Sequence, residues 1–393
     1  MRICHLWHNF FPTGSGGLEK YVLNLSDFLS RHDSSLNFLM LTDRSDISFP
    51  LRYKLPKQQR INSIEVHRLG PTFSSYLRNL SYKIPHSEFK RLDDLLIKSL
   101  FNEAVRIPGM DKVDVFHLHG FWRPRFPVLA MWLSQHFHVP LVISLHGDSV
   151  DSHDPYAMSL EDPIIFQVLR QASVITTFSG EVLDLLGKLG FGKKSILLPN
   201  FINVKSFYRP ISYPSNLGAR AIMVSRLEAG KDPLTPVRAF AAVKEMVPSA
   251  DLQIVGDGQL FKPINNLIKD LNLGESVTLV GAKKDVRKFL WSSDVFIGTK
   301  SGYIATLEAW AAGLAVIVPE YGIFKGLISD GENGLLVQPG NSEQLAASLI
   351  SLFKNKTLQK TLASNGMQSV KEHDISVIAL RVNDIYHSVT GKR

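Results

Sequence analysis

Short apolar runs alternate with amphipathic stretches along the whole of this chain. Arg2 to Trp7 reads as a strand, and a helix from about Leu18 to Ser30 follows with Tyr21, Val22, Leu25, Phe28 and Leu29 on one face. Leu36–Leu41 and Ile64–Arg68 are the next strands; Pro50–Ser87 is otherwise irregular, and Arg91–Val105 is predicted helical. Val113 to His119 is a buried strand that ends in histidines, and Pro140 onward repeats the idea, ending in His146-Gly147. Strands at Ala172–Ser179 and from Ser195 enclose a helix over Glu181–Leu189. The stretch Tyr208–Arg220 then turns to Pro, Ser, Asn and Gly, the composition of a linker.

Beyond that stretch the alternation starts afresh. Strands are expected at Ala221–Val224, Leu252–Val255, Val277–Val280, Val295–Ile297, Leu314–Val318 and Leu335–Val337. Helices are expected at Leu234–Met246, around Ile304–Ala311, and from Ser342 and Asp374. Two runs of strand and helix predict an α/β chain of two doubly wound Rossmann-like domains, residues 1–207 and 208–374, facing each other across a cleft. A length of 393 residues fits this division, being more than one ordinary core accommodates.

Composition narrows the class. With 45% apolar and 20% charged residues the chain is globular. One cysteine, Cys4, excludes a disulfide framework and suits a reducing compartment. The start, MRICHLWHNFFP, lacks the long apolar segment of a signal peptide, and no run approaches the roughly 20 apolar residues of a membrane span. The expectation is a soluble, cytoplasmic protein. Of the net charge of +8, much falls between Arg44 and Arg106, where twelve Lys and Arg face six Asp and Glu, with Phe49, Tyr53 and Phe73 among the interleaved aromatics. An anionic membrane surface at the inner face of the membrane, an acidic acceptor site and a merely solvated rim all fit this segment. Nucleic acid is not expected as a partner, because no nucleic-acid motif accompanies the charge.

The candidate chemistry sits in loops at strand ends. Between the first strand and helix, Gly14, Gly16 and Gly17 form a loop of the kind that aims backbone N–H groups at an anion, or simply a tight turn. It is not a dinucleotide fingerprint, since the third glycine position holds Glu19. Arg226 and Lys231 lie five residues apart in the loop leaving the first strand of the second domain, and suit a diphosphate unless both are plain solvated cations. Gly302 precedes the helix that carries Glu308, an acid among Leu307, Ala309, Trp310, Ala311 and Ala312. Vicinal sugar hydroxyls would satisfy a carboxylate held there, whereas a solvated side chain would need none. Tyr303 to Ala305 offer that helix's N-terminus to a phosphate. Together these groups describe a nucleoside diphosphate held across a cleft. His117, His119 and His146 stand at strand ends, where α/β folds line their crevice, although structural histidines occur there too. No carboxylate or thiol has ligand spacing with His117 and His119, so no metal is expected.

At this point the chain resembles the group 1 (family four) glycosyltransferases, retaining enzymes of the GT-B fold. The resemblance runs through Gly16-Gly17-Leu-Glu; Ser-Leu-His146-Gly; Leu-Pro-Asn200-Phe-Ile-Asn; Ser-Arg226-Leu-Glu-Ala-Gly-Lys231; Ile-Val-Gly-Asp-Gly; Ser-Asp294-Val-Phe; Leu-Glu308-Ala-Trp-Ala-Ala-Gly; and Asp330-Gly-Glu-Asn-Gly-Leu-Leu-Val. It implies a nucleoside-diphosphate sugar as donor, a carbohydrate or lipid-linked acceptor, no cofactor and no metal. Arg226 and Lys231 would bind the diphosphate and act in catalysis, Glu308 would bind ribose, and Gly16, Gly17, Tyr303 and Ile304 would complete the donor site. His146 would act in catalysis beside the transferred sugar and, with His119, form the acceptor side, Lys300 would join the donor site, and the last helix (375–393) would cross back to the first domain. The chain departs from the pattern at Lys300, where the family usually places a glutamate eight residues before Glu308, and at Lys325 and Gly326, where many members carry Glu. Lys300 changes how a donor sugar or phosphate is met. A catalytically impaired sugar-nucleotide-binding scaffold and a GT-B-fold sugar-nucleotide epimerase are the alternatives.

Overall fold

The computed structural model describes residues 1–11, 17–43, 55–70, 86–121, 125–146, 160, 162–211, 218–300, 302–324 and 326–391. The chain forms two compact units, Met1–Pro199 with Ser376–Arg393, and Asn200–Ile375.

The first unit holds strands β1 (Arg2–Leu6), β2 (Asn37–Asp43), β3 (Gln58–Ile61), β4 (Ile64–Leu69), β5 (Val115–His119), β6 (Leu141–Leu145), β7 (Val174–Thr177) and β8 (Ser195–Leu197). They lie in the order β3-β4-β2-β1-β5-β6-β7-β8. Pairing is parallel except between β3 and β4. The apolar runs of β5 and β6 are buried at every residue, as parallel strands covered by helices on both faces must be. β3 departs from the expectation of irregular chain over this stretch. Its polar sequence, QQRI, pairs only at the sheet edge, where one side faces solvent. Asn62, at φ +51°, turns the chain between β3 and β4. Asp27 clamps that turn by accepting from the Ser63 backbone N–H at 3.1 Å and the Ser63 hydroxyl at 2.6 Å.

The helix Ile375–Thr390 belongs, from Ser376 on, to this first unit, as expected of the last helix. It inserts Tyr386, which is fully buried and hydrogen bonded to His117 Nδ1 at 2.7 Å.

The second unit contains β9 (Arg220–Val224), β10 (Asp251–Val255), β11 (Val277–Gly281), β12 (Val295–Ile297), β13 (Ala315–Pro319) and β14 (Leu335–Val337). All are parallel, in the order β11-β10-β9-β12-β13-β14. The order reverses between β9 and β12, so the loops leaving these two strands flank the crevice where such sheets bind ligands. In the first unit the same reversal falls between β1 and β5.

The division between units comes at Pro199/Asn200, ahead of the 207/208 boundary that the linker-like composition suggested. Hydrogen bonds explain the shift. Ile202 N–H donates to His373 O at 3.0 Å, Ile375 N–H to Ile202 O at 2.9 Å, and Val204 N–H to Asp374 Oδ2 at 3.0 Å. Trp291 Nε1 then donates to Phe207 O at 2.7 Å, so 200–207 is anchored to the second unit throughout.

Candidate active site

The loop after β9 is stitched to the loop after β10. Ser225 N–H donates to Val255 O at 3.1 Å, Leu227 N–H to Asp257 O at 2.9 Å, and Leu260 N–H to Leu227 O at 2.9 Å. So close an approach explains the Gly-Asp-Gly sequence. Gly256 and Gly258 sit at φ +154° and +155°, and a Cβ on either would collide with the carbonyl of Ser225 or Leu227.

Held this way, Arg226 projects outward, with its side chain 70% exposed, and donates from Nη1 to Glu228 Oε1 at 3.0 Å. Lys231 closes a short 3₁₀ turn over Ala229–Lys231, and Asp232 follows at φ +48°. Ser225 Oγ lies 3.4 Å from Thr299 Oγ1, which joins this loop to the one after β12. Lys231 and Lys300 line a single cavity of about 30 Å³ together with Tyr321 and Gln338. Lys300 Nζ stands 5.5 Å from the Tyr321 ring centroid, so its ammonium faces an aromatic ring. Arg226 does not line this cavity.

The helix Tyr303–Ala311 buries Tyr303, Thr306, Leu307, Ala309, Trp310 and Ala311. Ile304, Ala305 and Glu308 remain partly exposed, and their spacing places them on one helical face. The apolar neighbours of Glu308 therefore do not enclose it. The N-cap is Gly302, which has no side chain to cap the first turn. Tyr303 turns its side chain inward, its OH 3.4 Å from His373 Nδ1, and burial raises its phenol above the usual range. Tyr303 can thus serve the site through its backbone alone. The indole of Trp310 is wholly buried and donates from Nε1 to Asn333 O at 3.0 Å. This bond ties the Leu-Glu308-Ala-Trp and Asp330-Gly-Glu-Asn sequences together.

In the first unit, Gly17 is the first residue of the helix Gly17–His32, whereas Gly16 lies outside the described residues, as does Lys325. Glu19 accepts from Trp7 Nε1 at 3.2 Å, which fastens the helix start to the end of β1. His146, just past β6, is partly buried, with the ring of Tyr21 edge-on at 4.8 Å.

His119 differs from its expected role as an acceptor-side residue. It is 0% exposed, with Nε2 2.9 Å from His5 Nδ1 and Nδ1 3.2 Å from His146 Nε2. His117 is likewise structural, its nitrogens 2.7 Å from Tyr386 OH and 2.7 Å from Ser144 Oγ. Ligating atoms of His5, His117 and His119 fall within 4.8 Å of one another, a spacing open to a metal, although hydrogen bonds already engage these nitrogens. Burial pushes the His5 imidazole down to about 3 and holds His117 and His119 well below the ordinary histidine range. His5 and Ser26 escaped the sequence reading, which placed Tyr21 only on an apolar helix face. Parallel pairing sets His5 beside His117, and nothing local in a strand announces its partner.

Both units have the architecture of GT-B glycosyltransferases. The fold matches Anabaena HepE in complex with UDP at a TM-score of 0.74, with 18% identity, covering 99% of this chain and 100% of that one. It matches sucrose-phosphate synthase from Thermosynechococcus elongatus at 0.75, also with 18% identity, over 100% of both chains. Residues 15–206 match the family described as Glycosyltransferase Family 4, and residues 214–369 that described as Glycosyl transferases group 1. A phosphatidyl-myo-inositol mannosyltransferase from Mycobacterium leprae is 29% identical, covering 70% of this chain and 74% of its own. An alpha-monoglucosyldiacylglycerol synthase from Acholeplasma laidlawii is 25% identical over 72% and 77%. The chain belongs to the group 1 glycosyltransferases.

Proposed function

We propose that this glycosyltransferase moves a sugar from a nucleoside diphosphate to an acceptor hydroxyl with retention at the anomeric carbon. The observation that carries the reading is the pairing of cationic loops with a helix face at the sheet reversal of the second unit. Lys231 and Lys300 share one cavity there, and Ile304, Ala305 and Glu308 share one exposed face. In this reading Arg226, Lys231 and Lys300 take the diphosphate, the N–H groups at Tyr303 and Ile304 add the positive end of a helix, and Glu308 accepts from the ribose hydroxyls. Gly16 and Gly17 contribute backbone donors to phosphate, and His146 contacts the transferred sugar.

The bond from the anomeric carbon to the phosphate oxygen breaks as negative charge gathers on the leaving diphosphate, which the cations stabilise most at that moment. The acceptor oxygen bonds to the same face of that carbon, and its proton passes to the departing phosphate oxygen. The protein supplies no nucleophile in this scheme.

A lipid-linked acceptor fits two features. Two relatives carry lipids in their names, a phosphatidyl-myo-inositol mannosyltransferase and an alpha-monoglucosyldiacylglycerol synthase. A cavity of about 540 Å³ on the first unit is lined by Lys57, Lys98 and Arg106 beside Leu95, which is 64% exposed. No described helix is long and apolar enough to cross a membrane.

Incubation with a panel of sugar nucleotides, followed by detection of released nucleoside diphosphate and by NMR of the product anomer, tests the reading. Release of nucleotide with an anomer matching the donor supports it. Inversion, or an isomerised sugar without transfer, overturns it.

A further inference from the structure

Tyr303 reaches two places at once. Its backbone opens the helix Tyr303–Ala311, while its side chain turns into the second unit and leaves the residue only 6% exposed. A phenylalanine ring would fill the same space, and a buried phenol costs free energy unless its oxygen is bonded. That oxygen lies 3.4 Å from His373 Nδ1, and the two rings meet edge-on with centroids 6.0 Å apart. The same nitrogen is 3.1 Å from the carbonyl of Asn200. A carbonyl can only accept, so Nδ1 carries the proton and the phenol oxygen is its second acceptor. Burial lowers the His373 imidazole below its ordinary range and keeps it neutral.

His373 belongs to the segments by which the chain enters and leaves the second unit, at Asn200 and Ile375. The two segments are laid side by side, with a parallel bridge between Ile202 and Asp374. His373 O accepts from Ile202 N–H at 3.0 Å, Ile202 O from Ile375 N–H at 2.9 Å, and Asp374 Oδ2 from Val204 N–H at 3.0 Å. On the other side of Tyr303, Gly302 N–H donates to Thr299 O at 2.9 Å, and a Cβ on Gly302 would press on the Thr299 backbone at 3.0 Å. The helix start is thus held by Thr299 on its loop side and by His373 on its buried side.

We propose that Tyr303 and His373 are positioning residues that couple nucleotide held at this helix start to the paired segments 200–204 and 373–375. The proposal rests on the assignment of the diphosphate to the N–H groups at Tyr303 and Ile304. In that reading the residue whose N–H meets phosphate is also the residue whose hydroxyl meets His373, so one side chain separates the ligand from the paired segments. Coupling of this kind is reciprocal: nucleotide steadies the segments, and steadied segments hold nucleotide more tightly.

Hydrogen exchange of the full-length protein with UDP, and with GDP in a parallel arm, tests this. We expect bound nucleotide to slow exchange at the Ile202, Val204 and Ile375 amides beyond any slowing in the strand Asp251–Val255, which reports general stabilisation of the unit. Tyr303→Phe keeps the ring and removes the hydroxyl. It should bind nucleotide about 2–10-fold more weakly, the range of one neutral hydrogen bond, and lose the extra protection. Donor KM should rise by a similar factor, with kcat changing less. His373→Gln removes the contact from its other side and should behave alike, so the test stands even if Tyr303→Phe does not fold. Nucleotide bound without extra protection in the parent, or equal protection in either folded variant, overturns the proposal. A parent that binds neither nucleotide overturns instead the donor-site reading on which it rests.

Discussion

Arg226 Nη1 donates to Glu228 Oε1 at 3.0 Å, two residues along the same loop. Both side chains are well exposed, and an exposed pair of this kind contributes about 0–1 kcal/mol. The pairing is therefore weak enough for a diphosphate, with more charge and more acceptor oxygens, to displace Glu228 from the guanidinium. Arg226 lies outside the cavity shared by Lys231 and Lys300.

This geometry predicts one outcome for the two cations and another for Glu228. Arg226→Ala and Lys231→Ala should each lower kcat more than they weaken acceptor binding, because charge on the leaving group peaks in the transition state. Glu228→Gln should leave nucleotide binding equal or slightly stronger, since a neutral amide oxygen holds Arg226 less strongly than the carboxylate does. Steady-state kinetics and nucleotide titration check the set. Glu228→Gln binding nucleotide much more weakly would show that the pair organises the loop and does not merely occupy Arg226.

Glu308 shares its helix face with Ile304 and Ala305, and all three are partly exposed. We expect Glu308→Gln to lose roughly 1.5–3 kcal/mol of nucleoside-diphosphate binding, the range for hydrogen bonds to a charged group. The fold should persist, because the packing of this helix rests on Leu307, Trp310 and Ala311. Calorimetric titration gives the answer, and unchanged affinity would remove Glu308 from the site.

Stability of the second unit depends on a close approach between two helices. A Cβ on Gly366, in the helix Lys356–Ser369, would overlap the Trp310 indole ring. That ring is wholly buried and hydrogen bonded, so it cannot swing aside cheaply. Gly366→Ala should cost about 1–3 kcal/mol, the usual penalty of overpacking. A lowered thermal midpoint is expected, and an unchanged one would mean that the helices separate freely.

Acid should weaken the first unit before its carboxylates titrate. An unfolded histidine binds a proton below about pH 6.5, whereas folded His5 does so only near 3. Between those values the unfolded chain holds the extra proton, so stability falls as pH falls, by about 1.4 kcal/mol per pH unit for this one group. His117 and His119 act in the same direction, as does His373 in the second unit. Urea unfolding at pH 7 and pH 5 should show a lower midpoint at pH 5. Equal or greater resistance there would mean that the histidines are charged in the folded protein.

Much of the fold was legible because parallel strands covered on both faces are written as continuous apolar runs, as in Val115–His119 and Ala315–Val318. The polar edge strand Gln58–Ile61 was not, since an exposed ladder needs no apolar face. The loops after β9 and β12 were legible from Arg226, Lys231 and Gly302, whose spacing is local. The contact of His5 with His119 was hidden for the opposite reason. His5 and His119 are separated by 114 positions, and their contact arises only from strand order at the sheet reversal. The linker-like composition of Tyr208–Arg220 misplaced the boundary because backbone bonds from Ile202 and Val204 decide it, and composition does not report them.

The basic segment Arg44–Arg106 can now be tested at defined positions. Lys54 and Lys83 lie outside the described residues, whereas Lys57, Lys98 and Arg106 converge on one cavity with Leu95. Lys57 pairs with Glu103 at 3.4 Å, which offsets part of its charge, so Lys98 and Arg106 should matter more to an anionic surface. Each cation near an anionic leaflet contributes about 1 kcal/mol. Its attraction fades beyond a Debye length of about 10 Å at 0.1 M salt. Flotation with vesicles containing phosphatidylglycerol should capture the protein at low salt and release it at high salt. Lys98→Gln combined with Arg106→Gln should weaken capture on the order of 10-fold, the equivalent of about 1–2 kcal/mol, with Lys57→Gln adding less. Leu95→Ala should weaken the part of the binding that survives salt, because burial of an apolar side chain is not screened. If the protein ignores anionic vesicles at low salt, or the neutralised variant floats as well as the parent, the cavity does not serve a membrane and its cations are a solvated rim.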